Sequence, residues 1–297
     1  MKSTLVSVIL PVYNGEKFIR QTIDSLLAQD YENMEIIISD DGSTDSTSEI
    51  IKSYGSQIIY LYKKNGGCSS AYNFALEKSQ GNLIALANYD DLWRKDKISK
   101  QVKRFKETGS SLIYTDHVYF SENDFTFDKI KPRNNSKIKK LRVEEDTFNS
   151  MIQSNFIACA SVMISRISLD EIGLFDASLP HAEDYDMWLR LATEGHTFQY
   201  IDEILTSIRR HPENKSGNYE RMLLTKQKIK DKICSQNNIS EESQIVWEAS
   251  ILSDYANGLF KARKFREYRK TINQILKLNS STLSQKQIKR FFTSFIK

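Results

Sequence analysis

The sequence predicts an α/β fold, a mostly parallel, doubly wound sheet flanked by helices, followed by a C-terminal helical appendage. Three observations lead there. Between Leu5 and Asp91, short apolar runs of strand length alternate with segments whose apolar residues recur at helical spacing, which is the pattern of repeated βα units. Acidic or glycine-rich turns follow several of these runs, at the strand ends where open α/β sheets keep their ligands. The charge is also divided unevenly: residues 1–216 carry 26 Lys+Arg against 31 Asp+Glu, and residues 217–297 carry 16 against 7. The nets of −5 and +9 lead us to expect one domain over residues 1–216 and a distinct basic helical region over 217–297.

Each element follows from its residues. Leu5 to Leu10 is a β run that Pro11 is expected to stop. From Lys17 to Gln29, the residues Phe18, Ile19, Thr22, Ile23, Leu26 and Leu27 share a helical face, with Asn14 placed as cap and Gly15 allowing the tight turn before it. Met34 to Ser39 gives a second strand, then the turn Asp40-Asp41-Gly42-Ser43 and a helix over roughly Asp45 to Tyr54. A third strand, Ile58 to Tyr62, leads into the loop Lys63 to Gly67, which frees backbone amides. The helix through Ala71, Phe74, Ala75 and Leu76 comes next, and Gly81 is expected to close it. Leu83 to Ala87 then ends in Asn88-Tyr89-Asp90-Asp91. Further strands are expected at Leu112 to His117, Ala160 to Ser165 and Ile204 to Ile208. Lys129 to Arg142, rich in lysine and without an apolar face, reads as a mobile surface loop.

With 297 residues, 40% hydrophobic and 11% aromatic, the chain can bury a large core. No apolar run reaches membrane-spanning length, and Met1-Lys2 leads directly into a strand, so neither a span nor a signal peptide is expected. Cys68, Cys159 and Cys234 are far apart, odd in number and without metal-ligand spacing, which suits reduced packing residues of a cytoplasmic protein. The basic tail has no aromatics interleaved in a recognisable RNA motif, so nucleic acid is not an expected partner.

Asp90 and Asp91 should emerge from the end of a buried strand. Adjacent carboxylates there repel each other and resist desolvation, which makes sense if a hard divalent cation sits between them and a diphosphate. The same pair before a basic helix is also ordinary N-cap chemistry. Asp41, inside the run Asp40 to Asp45, is equally open to turn and cap duty.

Four segments in order, Pro11-Val12-Tyr13-Asn14, Ile38 to Asp45, Asn65-Gly66-Gly67 and Asn88 to Asp91, resemble the signature of the family 2 glycosyltransferases, which have the GT-A fold. The likeness continues at Asn155, at Gly173-Leu174-Phe175-Asp176 and over Glu183 to Arg190, and fades after Arg209-Arg210-His211. It implies an inverting enzyme that moves a sugar from a nucleotide-sugar donor, UDP- or dTDP-linked, to a saccharide or lipid-linked acceptor in bacterial cell-surface polysaccharide synthesis. In that pattern Pro11 and Tyr13 line the base slot, Asp41 accepts a hydrogen bond from a base ring nitrogen, and Asn65 approaches the nucleotide. Asp91 is then a metal ligand, Asp90 a ribose or metal partner, and His211 a third ligand or phosphate contact, with Mn2+ or Mg2+ as the cation. Asp184 becomes the general base, although an acid at that place also suits the start of a helix.

One position departs from the pattern. The family often reads Asp-Xaa-Asp-Asp, and this chain has Asn88 first, whose amide oxygen could reach a ribose hydroxyl or a water on the metal. A noncatalytic nucleotide-sugar-binding subunit or scaffold would share the fold. Such a protein should have lost Asp91 or Asp184, and both are present.

The tail ends with Ile288, Phe291, Phe292, Phe295 and Ile296 at helical spacings, beside Lys286, Lys289, Arg290 and Lys297. This amphipathic helix leads to two expectations. One is docking on the catalytic domain or on a second copy in a homo-oligomer. The other is peripheral attachment to the anionic inner face of the cell membrane, which would bring the enzyme to a lipid-linked acceptor.

Overall fold

Every residue of the strand β1 (Val6–Val12) is buried, as expected of a parallel strand covered on both faces. In the computed structural model the described residues are 4–121, 127, 146–211, 214 and 218–295. The expected loop at 129–142, and residues 296 and 297, lie outside them. The chain divides into two units. The first comprises Met1–Lys139, Ile157–Ser178 and Glu183–His211, and the second Lys140–Phe156, Leu179–Ala182 and Pro212–Lys297.

The remaining strands are β2 (Met34–Asp40), β3 (Ile59–Tyr62), β4 (Leu83–Leu86), β5 (Leu92–Trp93), β6 (Leu112–Phe120), β7 (Val162–Ser165) and β8 (Phe198–Arg209). The helices are α1 (Ile19–Leu27), α2 (Thr47–Lys52), α3 (Cys68–Lys78), α4 (Lys97–Thr108), α5 (Thr147–Gln153), α6 (Arg166–Ile172), α7 (Glu183–Thr193), α8 (Tyr219–Gln236), α9 (Glu241–Lys261), α10 (Phe265–Leu278) and α11 (Gln285–Thr293). The sheet runs β3-β2-β1-β4-β7-β6-β8-β5. Strands β3, β2, β1 and β4 are parallel, whereas β7 is antiparallel to both β4 and β6.

The chain leaves β1 in one direction, through β2 and β3, and then returns to the other flank of β1 for β4. That reversal makes a topological switch point between β1 and β4, the place where open sheets bind ligands. Register carries the site residues to it. Val12 pairs with Asp40 and Asp40 with Tyr62, so Tyr13, Asp41 and Lys63 follow side by side. Strand β1 continues through Pro11, contrary to the expected stop. The β4 ladder has ended at Ile9 and Leu86, so Pro11 has a neighbouring strand on one side only, where a missing N–H is tolerated.

One face of the sheet packs Val6, Val8, Leu10, Ile36, Ile38 and Ala85 against Ile19, Ile23 and Leu26 of α1 and Ile98 and Val102 of α4. Each such aliphatic side chain contributes about 1.5–3 kcal/mol by leaving water. Ile9, Ile37, Ile84 and Leu86 are also fully buried and alternate to the opposite face; helix α3 lies close to β1 and β2.

Two loop residues act differently from their sequence expectations. Asn14 does not cap α1, whose cap position is Phe18. With φ at 51°, its N–H donates to Ser43 Oγ at 3.0 Å and its Oδ1 accepts from the Thr44 amide at 2.8 Å, joining the loops after β1 and β2. Gly81 does not close α3, which ends at Ser79. A Cβ at Gly81 would lie 2.5 Å from the Ser7 backbone nitrogen, so the close approach of β1 excludes any side chain.

In the second unit, Ala249, Ala256 and Leu259 of α9 pack with Tyr268, Ile272 and Ile275 of α10 and with Leu283. Helix α5 joins them: Phe148 meets Trp247 edge-on with centroids 5.8 Å apart, and Ser250 Oγ donates to the Gln153 carbonyl at 2.8 Å. Ser284 and Gln287 form a capping box that starts α11, and Gln287 Nε2 donates to Ser253 Oγ at 2.8 Å. That seating turns Phe291 toward the core and leaves Ile288 43%, Phe292 65% and Phe295 64% exposed. Among the described residues no helix is long and apolar enough to cross a membrane.

Candidate active site

The acids after β2 divide the work that the sequence left open between them. Asp40 serves the turn: it accepts from the Ser43 amide and the Tyr60 hydroxyl, both at 2.8 Å. Asp41 instead faces the glycine loop. Its carboxylate accepts from Lys63 Nζ at 2.7 Å, the Gly66 amide at 2.9 Å and the Gly67 amide at 2.8 Å. Gly67 has φ 89°, a backbone conformation that glycine adopts without strain, so the loop can aim two successive N–H groups at one carboxylate. Pro11 is buried and Asn65 exposed at this edge, and the Tyr13 ring is 46% exposed, available for stacking.

After β4 the acidic pair is buried, with Asp91 only 2% exposed. Asp91 Oδ2 accepts from Asn88 Nδ2 at 2.9 Å and Oδ1 from the Arg209 amide at 3.0 Å. Asp90 Oδ2 lies 2.9 Å from His211 Nε2. The structure therefore brings Asp90 and His211 together and turns Asp91 toward the end of β8. Arg209 is the residue that sequence reasoning passed over. Its Nε donates to the Asp90 carbonyl at 3.1 Å and its Nη2 to Gln21 Oε1 at 2.6 Å, with the guanidinium between the rings of Phe18 and Phe120 at 4.7 and 4.5 Å.

Among the described residues no group of three or more His, Cys, Asp or Glu side chains is arranged to hold a metal ion. The donor chemistry of this turn nevertheless fits a hard cation. Burial first, and the neighbouring Asp90 second, push the Asp91 carboxyl up to about 8, the strain that a cation beside the pair would relieve. An acid whose folded-state pKa is raised favours folding below its ordinary value of 3.8 and loses that contribution as pH climbs to about 8. In chelator, the melting midpoint of the wild-type protein should fall across that window more than that of Asp91→Asn, whose amide does not titrate. Parallel pH profiles for the two proteins would show that Asp91 is not perturbed.

The second acidic site opens α7. Asp184 Oδ1 accepts from the Tyr185 amide at 2.7 Å. The helix is pinned independently of it: Asp186 pairs with Arg190 at 2.9 Å, and Arg190 Nη1 donates to the Ile172 carbonyl at 2.6 Å. The partly buried Cys159 links the two sites. Its Sγ is 3.4 Å from the Tyr72 hydroxyl, whose single proton is shared between the Ala87 carbonyl and Asn88 Oδ1 at 3.0 and 3.1 Å. Desolvation and then the Asp184 charge push the Cys159 thiol well up.

Residues 7–173, more than half of the chain, match the profile of the family described as Glycosyl transferase family 2. An uncharacterized glycosyltransferase of Rickettsia prowazekii, RP339, is 31% identical over 299 residues, covering 99% of this chain and 89% of that protein. The Escherichia coli protein WfaP, a UDP-Glc:alpha-D-GlcNAc-diphosphoundecaprenol beta-1,3-glucosyltransferase, is 32% identical over 76% of this chain and 85% of its own. The match spans less than two thirds of some other relatives' own length: 65% of the Rickettsia typhi protein and 35% of that of Rickettsia felis. Among solved structures, S. aureus TarS in complex with UDP-GlcNAc superposes with a TM-score of 0.65 at 21% identity, over 90% of this chain and 78% of that one. A mannosyltransferase of Pyrobaculum calidifontis in complex with GDP-Man and Mn2+ gives 0.63 at 16% identity, over 98% and 84%. The sheet is thus of the GT-A type, as the motifs implied. With the profile matched over the switch point and a relative aligned along nearly its whole length, this chain belongs to glycosyl transferase family 2.

Proposed function

We propose that this protein is a metal-dependent inverting glycosyltransferase, moving a sugar from a UDP- or dTDP-linked donor to a saccharide or lipid-linked acceptor in cell-surface polysaccharide synthesis. One observation carries the proposal: in a chain of glycosyl transferase family 2, Asp41 after β2, gathering the glycine-loop amides, and Asp90 after β4, 2.9 Å from His211, flank the switch point of the sheet. WfaP, whose donor is UDP-Glc and whose acceptor is diphosphoundecaprenol-linked, supports the donor and acceptor classes.

In this proposal residues 1–216 carry the chemistry. Tyr13 stacks on the base, Pro11 closes the slot, Asp41 accepts from the base ring nitrogen, and Asn65 follows the nucleotide. Asp90, Asp91 and His211 would hold Mn2+ or Mg2+, which when bound neutralises charge on the departing diphosphate. Asp184 takes the proton from the acceptor hydroxyl as that oxygen bonds to the anomeric carbon. The nucleoside diphosphate leaves from the opposite side with the bonding pair, which inverts the centre. The test is a screen of nucleotide-sugars with purified protein, reading nucleoside diphosphate release. Release from a uridine or thymidine donor, lost in chelator and restored by Mn2+, is expected; binding without release under any condition would instead favour a noncatalytic subunit.

Residues 217–297 are proposed to attach this enzyme to the anionic inner membrane face through the exposed Ile288, Phe292 and Phe295, with the exposed Lys289 next to them on the helix. Each surface cation contributes about 1 kcal/mol there. Phe292→Ser with Phe295→Ser should abolish cosedimentation with anionic vesicles at low salt. Equal pelleting would remove the membrane role, and a changed oligomeric state would favour self-association.

A further inference from the structure

We propose that Asn88 is a positioning residue: held by the Tyr72 hydroxyl, its amide fixes Asp91 against the backbone of Arg209 and so sets where Asp90 and His211 stand. The inference deepens the proposed function and rests on it for the identity of the ligand, a nucleoside diphosphate with its cation.

Once ionised, the Asp91 carboxylate can only accept, and it then takes its hydrogen bond from Asn88 Nδ2 at 2.9 Å, with Asn88 Oδ1 turned to the Tyr72 hydroxyl at 3.1 Å. Tyr72 is 1% exposed and stands in a stiff frame. Its ring stacks on Phe175 with centroids 4.7 Å apart, and the adjacent Asn73 bonds the Phe175 backbone in both directions, at 2.9 and 3.0 Å.

On the far side, Asp91 Oδ1 receives the Arg209 amide and Arg209 Nε returns to the Asp90 carbonyl. The end of β8 and the acidic turn are thereby locked together. His211, two residues beyond Arg209, meets Asp90 at 2.9 Å.

This relay changes the meaning of the departure at the first motif position. Asn88 is not a vacant ligand place: its amide oxygen faces the Tyr72 hydroxyl, whose proton it shares with the Ala87 carbonyl. An aspartate at 88 could still accept from Tyr72, yet it would offer no N–H to Asp91 and would set a like charge beside a buried carboxylate. Restoring the family's acid is therefore expected to damage the site.

Two variants test this, Asn88→Asp and Tyr72→Phe. The first readout is amide hydrogen exchange at Arg209, measured by NMR in cation-free protein. Asn88→Asp should speed it about tenfold, the loss of one hydrogen bond to a charged group, with Leu205 in the middle of β8 unchanged. Tyr72→Phe should do the same to a smaller extent, and decides the matter if Asn88→Asp does not fold. The second readout is Mn2+ titration in the presence of UDP: Asn88→Asp should need about tenfold more cation despite its added carboxylate, with the acceptor KM unchanged. Unaltered exchange at Arg209, or tighter Mn2+ binding by Asn88→Asp, would overturn the inference. A wild-type protein that binds no UDP would count against the proposed function, and the exchange rates would still decide the role of Asn88.

Discussion

Asp184→Asn is expected to leave nucleoside diphosphate affinity nearly intact and to cut turnover about 100-fold or more, the usual effect of removing a general base. Asp184 Oδ1 accepts the Tyr185 amide, a bond that an asparagine oxygen can also make, and α7 is held in place by Asp186, Arg190 and the Ile172 and Leu174 carbonyls. What the amide lacks is basicity toward the acceptor hydroxyl. Steady-state rates with calorimetric affinities for UDP measure both halves, and wild-type turnover in Asp184→Asn would show that the acid only starts a helix.

Asp41→Ala is expected to weaken binding of a uridine or thymidine diphosphate by roughly 1–3 kcal/mol. Two losses combine. The base would lose its acceptor, and the loop that approaches the nucleotide would lose the carboxylate that gathers Lys63 Nζ and the Gly66 and Gly67 amides. Asp40 keeps its own bonds to Ser43 and Tyr60, so the turn itself should survive. An unchanged dissociation constant for the free nucleotide would reduce Asp41 to a residue that only holds the glycine loop.

Strands β1 and β4 are legible because burial on both faces writes a nearly continuous apolar run, and the β4 run stops at the short polar segment that holds the acidic pair. The partners of those acids were less so. Lys63 reads as a solvated lysine, yet the pairing of Asp40 with Tyr62 carries it to Asp41; the spacing from strand end to lysine was the available signal. Arg209 is enclosed by Phe18, Phe120 and Gln21, residues distant in sequence that no periodicity connects. Lys97 is similar. It opens a segment that reads as a basic helix, but the fold buries it completely, with Nζ 3.6 Å over the Trp93 ring and 2.9 Å from Gln101 Oε1. Asn14 and Gly81 were misread for a related reason, since both answer to a neighbouring segment rather than to the helix beside them.

The claim that the two acidic sites divide one displacement between leaving group and acceptor is tested most directly by the anomeric configuration of the product, read by proton NMR. A donor whose sugar is α-linked to UDP should yield a β-linked product. An α-linked product would contradict attack from the side opposite the departing diphosphate with Asp184 as the base.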